Sequence, residues 1–314
     1  MTEIRDDKAQ YVVPFILALV SQHQSQHGKS PSSPPFFVGL NGVQGSGKSV
    51  LVDILKETLS SPPYGLHTVA FSLDDLYLTL SDQLKIAQSN PDNVLLQHRG
   101  QPSTHDIPLA LSVFQSLQAN RPTKIPRYDK AAFSGKGDRV PVCEWEEVKG
   151  DPSNPVHVVL FEGWSVGFRP LPPETLASKH SAAVKALHDS TPSTPYRGRL
   201  GHNTLANLTT INDALKSYDA LTRQLDAFVH IDAADPLYVY AWRLEQEAGL
   251  RAAKGTGMSD QQVQSFVDDY YPTYELYTDT LRQGVFKGTK EAWKGRQLRL
   301  VVGQDRTVTE VITI

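Results

Sequence analysis

One stretch, Gly42-Val43-Gln44-Gly45-Ser46-Gly47-Lys48-Ser49, limits what this chain can be more than any other. It fits G-x-x-x-x-G-K-[ST] and has the flanks that pattern requires. An apolar run from Phe36 to Leu40 precedes it, and Val50, Leu51, Ile54, Leu55 and Leu59 follow at helical spacing. Gly42, Gly45 and Gly47 let the backbone turn tightly and aim its N–H groups at phosphate oxygens. The helix that begins there adds unpaired N-terminal donors and the positive end of its dipole. Lys48 is expected to reach the β- and γ-phosphates, and the Ser49 hydroxyl to sit on Mg²⁺. With Val50 at the helix start, residues 42–50 form the expected nucleotide-binding segment. The alternative, a Gly/Ser-rich turn that binds nothing, would have to share both flanks by coincidence.

A chain of 314 residues suits one large α/β domain or two smaller ones. A formal charge of −3 argues against a general nucleic-acid binder or an anionic-membrane binder. The single cysteine, Cys143, excludes an intramolecular disulfide framework and a Cys-rich zinc site, and it fits a reducing compartment. Glu3, Asp6 and Asp7 make the start unlike a secretory signal or an acid-poor transit peptide, so a cytoplasmic location is expected. Tyr11 to Val20 is apolar but too short to span a bilayer. It is predicted to be a helix packed on the core, with Pro14 in the first turn.

Residues 21–35 read as a polar connector. His67 to Leu73 alternates as a second strand, with Asp74-Asp75 at its carboxyl end. Val156 to Phe161 is a buried-type strand ending in Glu162-Gly163, and Ala227 to Ile231 and Gln297 to Val302 follow as further strands. Val308 to Ile312 is a short edge strand. Helical patterns cover 82–119 in pieces, 211–225, 236–250, and 259–281 around Pro272. Residues 121–139 are loop, and 172–203 form a partly mobile surface excursion. Strands alternating with helices predict an α/β three-layer sandwich with a mostly parallel five-stranded sheet and helices on both faces. Ligands gather at the carboxyl ends of such strands. Three of those ends carry groups suited to phosphoryl transfer: the glycine loop, Asp74-Asp75 and Glu162.

Phosphoryl transfer needs an aligned acceptor, neutralised phosphates and a destination for the acceptor proton. Asp74 is the candidate base. Asp75 is either a second metal contact or a helix N-cap. Glu162 is the candidate metal-associated acid, against the plainer account of a charged strand terminus in solvent. Two polar loops are candidate substrate handles. One runs from Arg99 to Asp106 and includes His105; the other comprises Arg127, Tyr128, Asp129 and Lys130 with Lys136, Asp138 and Arg139. Arginine suits a planar carboxylate, whereas His105 beside Asp106 could be a buried structural pair. Arg243, Arg251 and Lys254 lie along and just past one helix. Spacing alone favours a plain Arg243–Glu247 pair over a phosphate-closing lid.

Taken together, the loop, Ser72-Leu73-Asp74-Asp75-Leu76-Tyr77, the Arg99 to Asp106 stretch, Pro126-Arg127-Tyr128-Asp129-Lys130, Phe161-Glu162-Gly163-Trp164 and Tyr240 to Glu247 resemble the D-glycerate 3-kinase-like P-loop kinases. That group is itself similar to uridine kinase, phosphoribulokinase and bacterial pantothenate kinase. The resemblance covers most of 36–302 apart from 172–203. It implies a P-loop NTPase fold and one kinase domain over 1–314, with a P-loop unit at 36–60 and a substrate-binding segment at 76–155. A surface insertion at 172–203 and a helical lid region at 236–285 complete that division. It further implies ATP with Mg²⁺ as cofactors and a small hydroxylated metabolite as acceptor. Asp74 matches the family's Asp against the acceptor hydroxyl, and Glu162 its metal-associated acid. Tyr77, Arg99, His105, Asp106, Arg127, Tyr128 and Asp129 fall on the substrate side, and Arg243 in the lid. Plant members carry a transit segment that this start does not resemble, which points to a cytosolic fungal-type relative. Glycerate is the expected acceptor, since an Arg-rich pocket suits a short hydroxy-carboxylate. A nucleoside, a pantothenate-like compound or a sugar is the alternative with the same chemistry, and a nucleotide-dependent switch is the alternative of another class. No protein partner is inferable.

Overall fold

In a computed structural model, which describes residues 7–28, 33–255, 257–287 and 293–314, the chain opens with helix α1 (Ala9–His27). Strand β1 (Phe36–Gly42) and helix α2 (Lys48–Ser60) flank the glycine loop. Strand β2 (Thr68–Ser72) follows, then α3 (Leu80–Ser89) and α4 (Ile107–Gln118). Four short strands make two antiparallel ribbons: β3 (Thr123–Ile125) with β6 (Glu146–Val148), and β4 (Tyr128–Asp129) with β5 (Asp138–Arg139). Then come β7 (Val158–Gly163), α5 (Pro173–His188), α6 (Leu205–Thr222) and β8 (Ala227–Ala233). Helices α7 (Tyr238–Lys254) and α8 (Asp260–Gln283) precede β9 (Gln297–Val302) and β10 (Val308–Thr313).

The main sheet has the order β10-β9-β8-β1-β7-β2. Strands β9, β8, β1, β7 and β2 are mutually parallel, and β10 closes one edge antiparallel to β9. These are the five expected parallel strands and the expected edge strand. Every residue of β1 and β8 is buried. Successive side chains of a strand point to opposite faces, so both faces of this sheet are covered. Parallel strands joined by crossovers put all their carboxyl ends on one rim.

An aromatic cluster fixes the two strands that carry the acids. Phe114 of α4 lies 5.2 Å from Phe71 of β2 and 5.1 Å from Phe161 of β7, and those two rings are 4.8 Å apart. All three are buried, so the ends of β2 and β7 inherit the rigidity of a packed core.

Three expectations change. Helix α1 runs on to His27, well into the segment read as connector, because its polar tail continues the helix on the solvent side after the buried Val12, Val13, Ile16, Leu19 and Val20. Pro14 sits inside this helix and not in its first turn. Residues 172–203 contain the sixteen-residue helix α5, opened by Pro173 at its first position. That excursion is pinned at its far end: the Glu275 carboxylate accepts from the N–H groups of Arg199 and Leu200, both at 2.8 Å, and Arg199 pairs with Asp268 at 2.7 Å. Glu3, Asp6, connector positions 29–32 and the Lys254 side chain lie outside the described residues.

Phe114→Ala should lose about 3–5 kcal/mol of unfolding free energy, the cost of a large apolar side chain removed from a packed core. Urea titration followed by circular dichroism measures it; a loss under about 1 kcal/mol would contradict the packing described.

Candidate active site

The glycine loop is held in its turn by conformation and by close packing. Gly45 and Gly47 have φ of +80° and +94°, in the left-handed region. A Cβ on Gly45 would also come within 2.5 Å of the Trp242 Cβ on α7. Outside the loop, the Gln44 N–H donates to the Tyr274 hydroxyl (3.4 Å) and Arg306 Nε donates to the Gly45 carbonyl (2.7 Å). The Arg306 guanidinium lies 5.3 Å over the Trp242 ring and pairs with Glu245 at 2.6 Å. Gly47 caps α2 without a side chain, so the first N–H groups of the helix face the loop. Ser46 Oγ is buried with no hydrogen-bond partner, an orphan that a phosphate oxygen would satisfy. The Val50 side chain is 44 % exposed.

Lys48 is a half-buried cation at this rim. Its Nζ donates to the Val43 carbonyl at 3.3 Å. Burial lowers its pKa, and the negative charges of Glu162 and Asp74 work against that fall. Glu162 sits near the end of β7, in register with Leu40 of β1 and Ser72 of β2. Its pKa is raised by burial and by Asp74, while Lys48 pulls it down. It is therefore not a strand terminus in open solvent.

Asp74 and Asp75 lie in a single 3₁₀ turn, Leu73–Leu76, directly after β2. Ser72 caps that turn, accepting from the Asp74 N–H at 3.1 Å, so Asp75 is not its N-cap. Asp75 Oδ1 instead accepts from the Tyr128 N–H at 3.2 Å, tying β4 to the turn, and burial raises its pKa to about 6. Asp74 has both oxygens engaged: Tyr77 Oη donates to Oδ1 at 3.0 Å and Lys130 Nζ to Oδ2 at 2.5 Å. Burial alone would raise its pKa. The Lys130 charge and hydrogen bond, with smaller help from His105 and Lys48, hold it down at about 2.

The side chains of the two polar loops differ in what they touch. His105 stacks on Tyr77 at 4.4 Å, its Nδ1 meets the Tyr218 hydroxyl at 2.7 Å, and its buried Nε2 has no partner. Burial lowers its pKa to about 3, so the ring is neutral. Tyr128 is buried with its ring 5.3 Å from Tyr77. Arg99 is engaged with the loop after β4. Its guanidinium donates to the carbonyls of Gly135 (2.8 Å), Lys136 and Lys130 (3.3 Å), and it lies 5.6 Å over the Tyr128 ring. Asp106 caps α4 through the Leu109 N–H (3.0 Å) and pairs with Arg139 at 3.0 Å, so it is not a neighbour-pair partner of His105. Asp129 accepts from the Ala131 N–H at 2.9 Å, and Arg127 is exposed. Arg243 pairs with Glu247 at 3.4 Å and with Gln246 at 2.8 Å, the plain pairing that spacing favoured. Its charge also depresses the pKa of Lys48, so it lies within electrostatic reach of the loop. Arg251 is tied to Asp260 at 2.8 Å.

Lys130 belongs to the second predicted substrate handle, but its pairing with Asp74 is not readable from the sequence. Tyr218, Tyr274 and Arg306 reach the site from distant segments and leave no local signal, and Trp242 carries none beyond its place in the Tyr240 to Glu247 stretch.

Among the described residues no three His, Cys, Asp or Glu side chains form a ready-made metal cage, and no helix is long and apolar enough to cross a membrane. Magnesium seldom needs such a cage, since it keeps several waters and takes one or two carboxylates plus substrate phosphates. The all-oxygen donors at this rim, Ser49, Glu162 and Asp75, fit that demand.

No family model matches the chain. It is 35 % identical over 279 residues to "D-glycerate 3-kinase, chloroplastic" of Arabidopsis thaliana, a match over 86 % of this chain and 54 % of that protein. The chain thus spans about half the length of that relative. It is 30 % identical over 282 residues to "Probable ATP-dependent kinase TDA10" of Saccharomyces cerevisiae, covering 86 % of this chain and 87 % of the other. The solved structure of D-glycerate 3-kinase from Cryptococcus neoformans var. grubii matches with a TM-score of 0.85 and 36 % identity, over 99 % of this chain and 100 % of that one. With the glycine loop, the acid-bearing strand ends and these relatives in agreement, the chain belongs to the D-glycerate 3-kinase-like family of ATP-dependent P-loop kinases.

Proposed function

We propose that this chain transfers the γ-phosphate of ATP to a hydroxyl of a short hydroxy-carboxylate, D-glycerate foremost. The observation that carries it is the rim itself, where parallel register sets Glu162 beside the ends of β1 and β2, next to the glycine loop with Lys48 and the turn with Asp74. Two of the relatives above bear the name D-glycerate 3-kinase, which supports glycerate over other alcohols.

In this account the loop N–H groups and Lys48 hold the β- and γ-phosphates, with Val50 in the first turn of α2 behind them. Ser49, Glu162 and Asp75 would hold Mg²⁺, which when bound neutralises phosphate charge. Asp74 orients the acceptor hydroxyl and receives its proton; a weak base suffices because the transferring phosphoryl group is already loosely bonded. Tyr77 fixes Asp74 from one side. The neutral His105 presents its free Nε2 as a hydrogen-bonding atom for the acceptor, and Tyr128 packs beside Tyr77. Arg127 and Asp129 stand at the exposed mouth, with Arg99 and Asp106 bracing the loops behind them. Arg243 leaves Glu247 to approach the phosphates when α7 closes. A cytoplasmic setting belongs to this proposal, supported by a single, exposed Cys143 that a reducing compartment keeps as a thiol.

A coupled ADP-release assay with D-glycerate, glycerol, pantothenate and uridine tests the acceptor. Glycerate should raise turnover well above the acceptor-free rate; if no compound does, a nucleotide-driven switch takes the place of the kinase. Lys48→Ala should abolish measurable ATP binding by calorimetry. Asp74→Asn should bind ATP with an unchanged Kd yet lose about 10²–10⁴-fold in kcat with glycerate. Loss of ATP binding in that variant would remove Asp74 from the role of base.

Asp75 gives a pH-dependent prediction. Its folded pKa of about 6 lies above the unfolded value near 3.9, so its ionised form costs stability at pH 7–8, and the cost fades as pH falls through 6 toward 4. Nucleotide-free Asp75→Asn should therefore melt higher than the parent at pH 7.5, with the gap closing toward pH 4, while its Mg²⁺ requirement rises. An unchanged melting temperature at pH 7.5 would contradict the burial described.

A further inference from the structure

Lys130 has no role in the transfer proposed above, yet its ammonium is paired with Asp74. It lies 2.5 Å from Asp74 Oδ2, and the charges of Glu162 and Asp75 also act on it. The turn that carries it is braced by Arg99, which holds the carbonyls of Lys130, Gly135 and Lys136. Each Asp74 oxygen therefore already carries one donor, and an acceptor hydroxyl arriving at Oδ2 must share that oxygen with the Lys130 ammonium or displace it. Tyr77 is buried, 3 % exposed, and clamped between His105 and Tyr128, so it stays. The Lys130 side chain is 55 % exposed on a flexible four-carbon stem, so it is the partner that can swing away.

Such a move is unfavourable if the ammonium exchanges a carboxylate for nothing, and nearly neutral if it exchanges one carboxylate for another. Solvent screening at this exposure keeps the first cost moderate but does not remove it. We propose, on the basis of the kinase function above, that Lys130 is a specificity-determining residue that covers Asp74 in the acceptor-free chain and moves to the carboxylate of an incoming hydroxy acid, uncovering the base. An anion placed beside the acceptor hydroxyl is then what unlocks Asp74. An uncharged alcohol of the same skeleton has no group to draw the ammonium off.

The test compares D-glycerate with glycerol, the same carbon chain without the charge, at saturating ATP. In Lys130→Met the ratio of kcat/KM for glycerate over glycerol should fall at least about tenfold, as expected for the loss of one charge-assisted hydrogen bond. KM for glycerate should rise, and Lys130→Arg should recover part of the ratio. A parent enzyme that prefers glycerate, with the ratio unmoved in Lys130→Met, overturns the assignment of Lys130 alone. A parent enzyme that prefers glycerol overturns this assignment and the glycerate function together.

Discussion

A lysine drawn partly out of water keeps its charge more readily beside anions. At Lys48 that constraint links the glycine loop to two other strand ends, because desolvation lowers its pKa and the charges of Glu162 and Asp74 oppose the fall. Glu162 from β7 and Asp74 from the turn after β2 act on it through charge because β1, β7 and β2 are adjacent and parallel. The sheet order is thus a condition for the charge of the nucleotide-binding loop. In return, Lys48 is one of the cations that keep two acids tolerable at a desolvated rim. Phosphates and a metal would add charge of both signs to a site already arranged around near balance.

The surrounding framework holds this balance in place. Arg306 and Trp242 brace the loop at Gly45, while Tyr274 of α8 receives the Gln44 N–H. The loop is therefore in contact with α7 and α8, the two helices of the proposed lid region. The residues after α5 are fastened to α8 through Glu275 and Asp268, so a movement of α8 would carry that segment with it.

The parts of this arrangement legible in the sequence are those encoded locally. The glycine loop, the apolar strands and the acids at their ends are contiguous, and parallel topology then assigns Gly42 to Ser49, Asp74 and Glu162 to one rim without knowledge of any contact. What could not be read is which polar side chains face the site and which face each other. Arg99 and Asp106 belong to dense polar loops that resemble substrate handles. Their partners, the carbonyls after β4 and the Arg139 guanidinium, lie 31 to 37 and 33 residues away. The Arg243–Glu247 pair was readable because helix geometry alone brings positions four apart together. Pro14 and the length of α1 were misjudged for the opposite reason, since a polar sequence is compatible with a solvent-facing helix as well as with a connector.

The central claim is that one rim holds the nucleotide and an alcohol side by side. A crystal structure of this chain with Mg²⁺, a non-hydrolysable ATP analogue and D-glycerate measures it directly. The account predicts a glycerate hydroxyl oxygen about 3 Å from an Asp74 oxygen and about 3–3.5 Å from the γ-phosphorus, with the Lys48 ammonium on the β- and γ-phosphates. Acceptor density removed from Asp74, or phosphates bound away from the Gly42 to Ser49 loop, would contradict it.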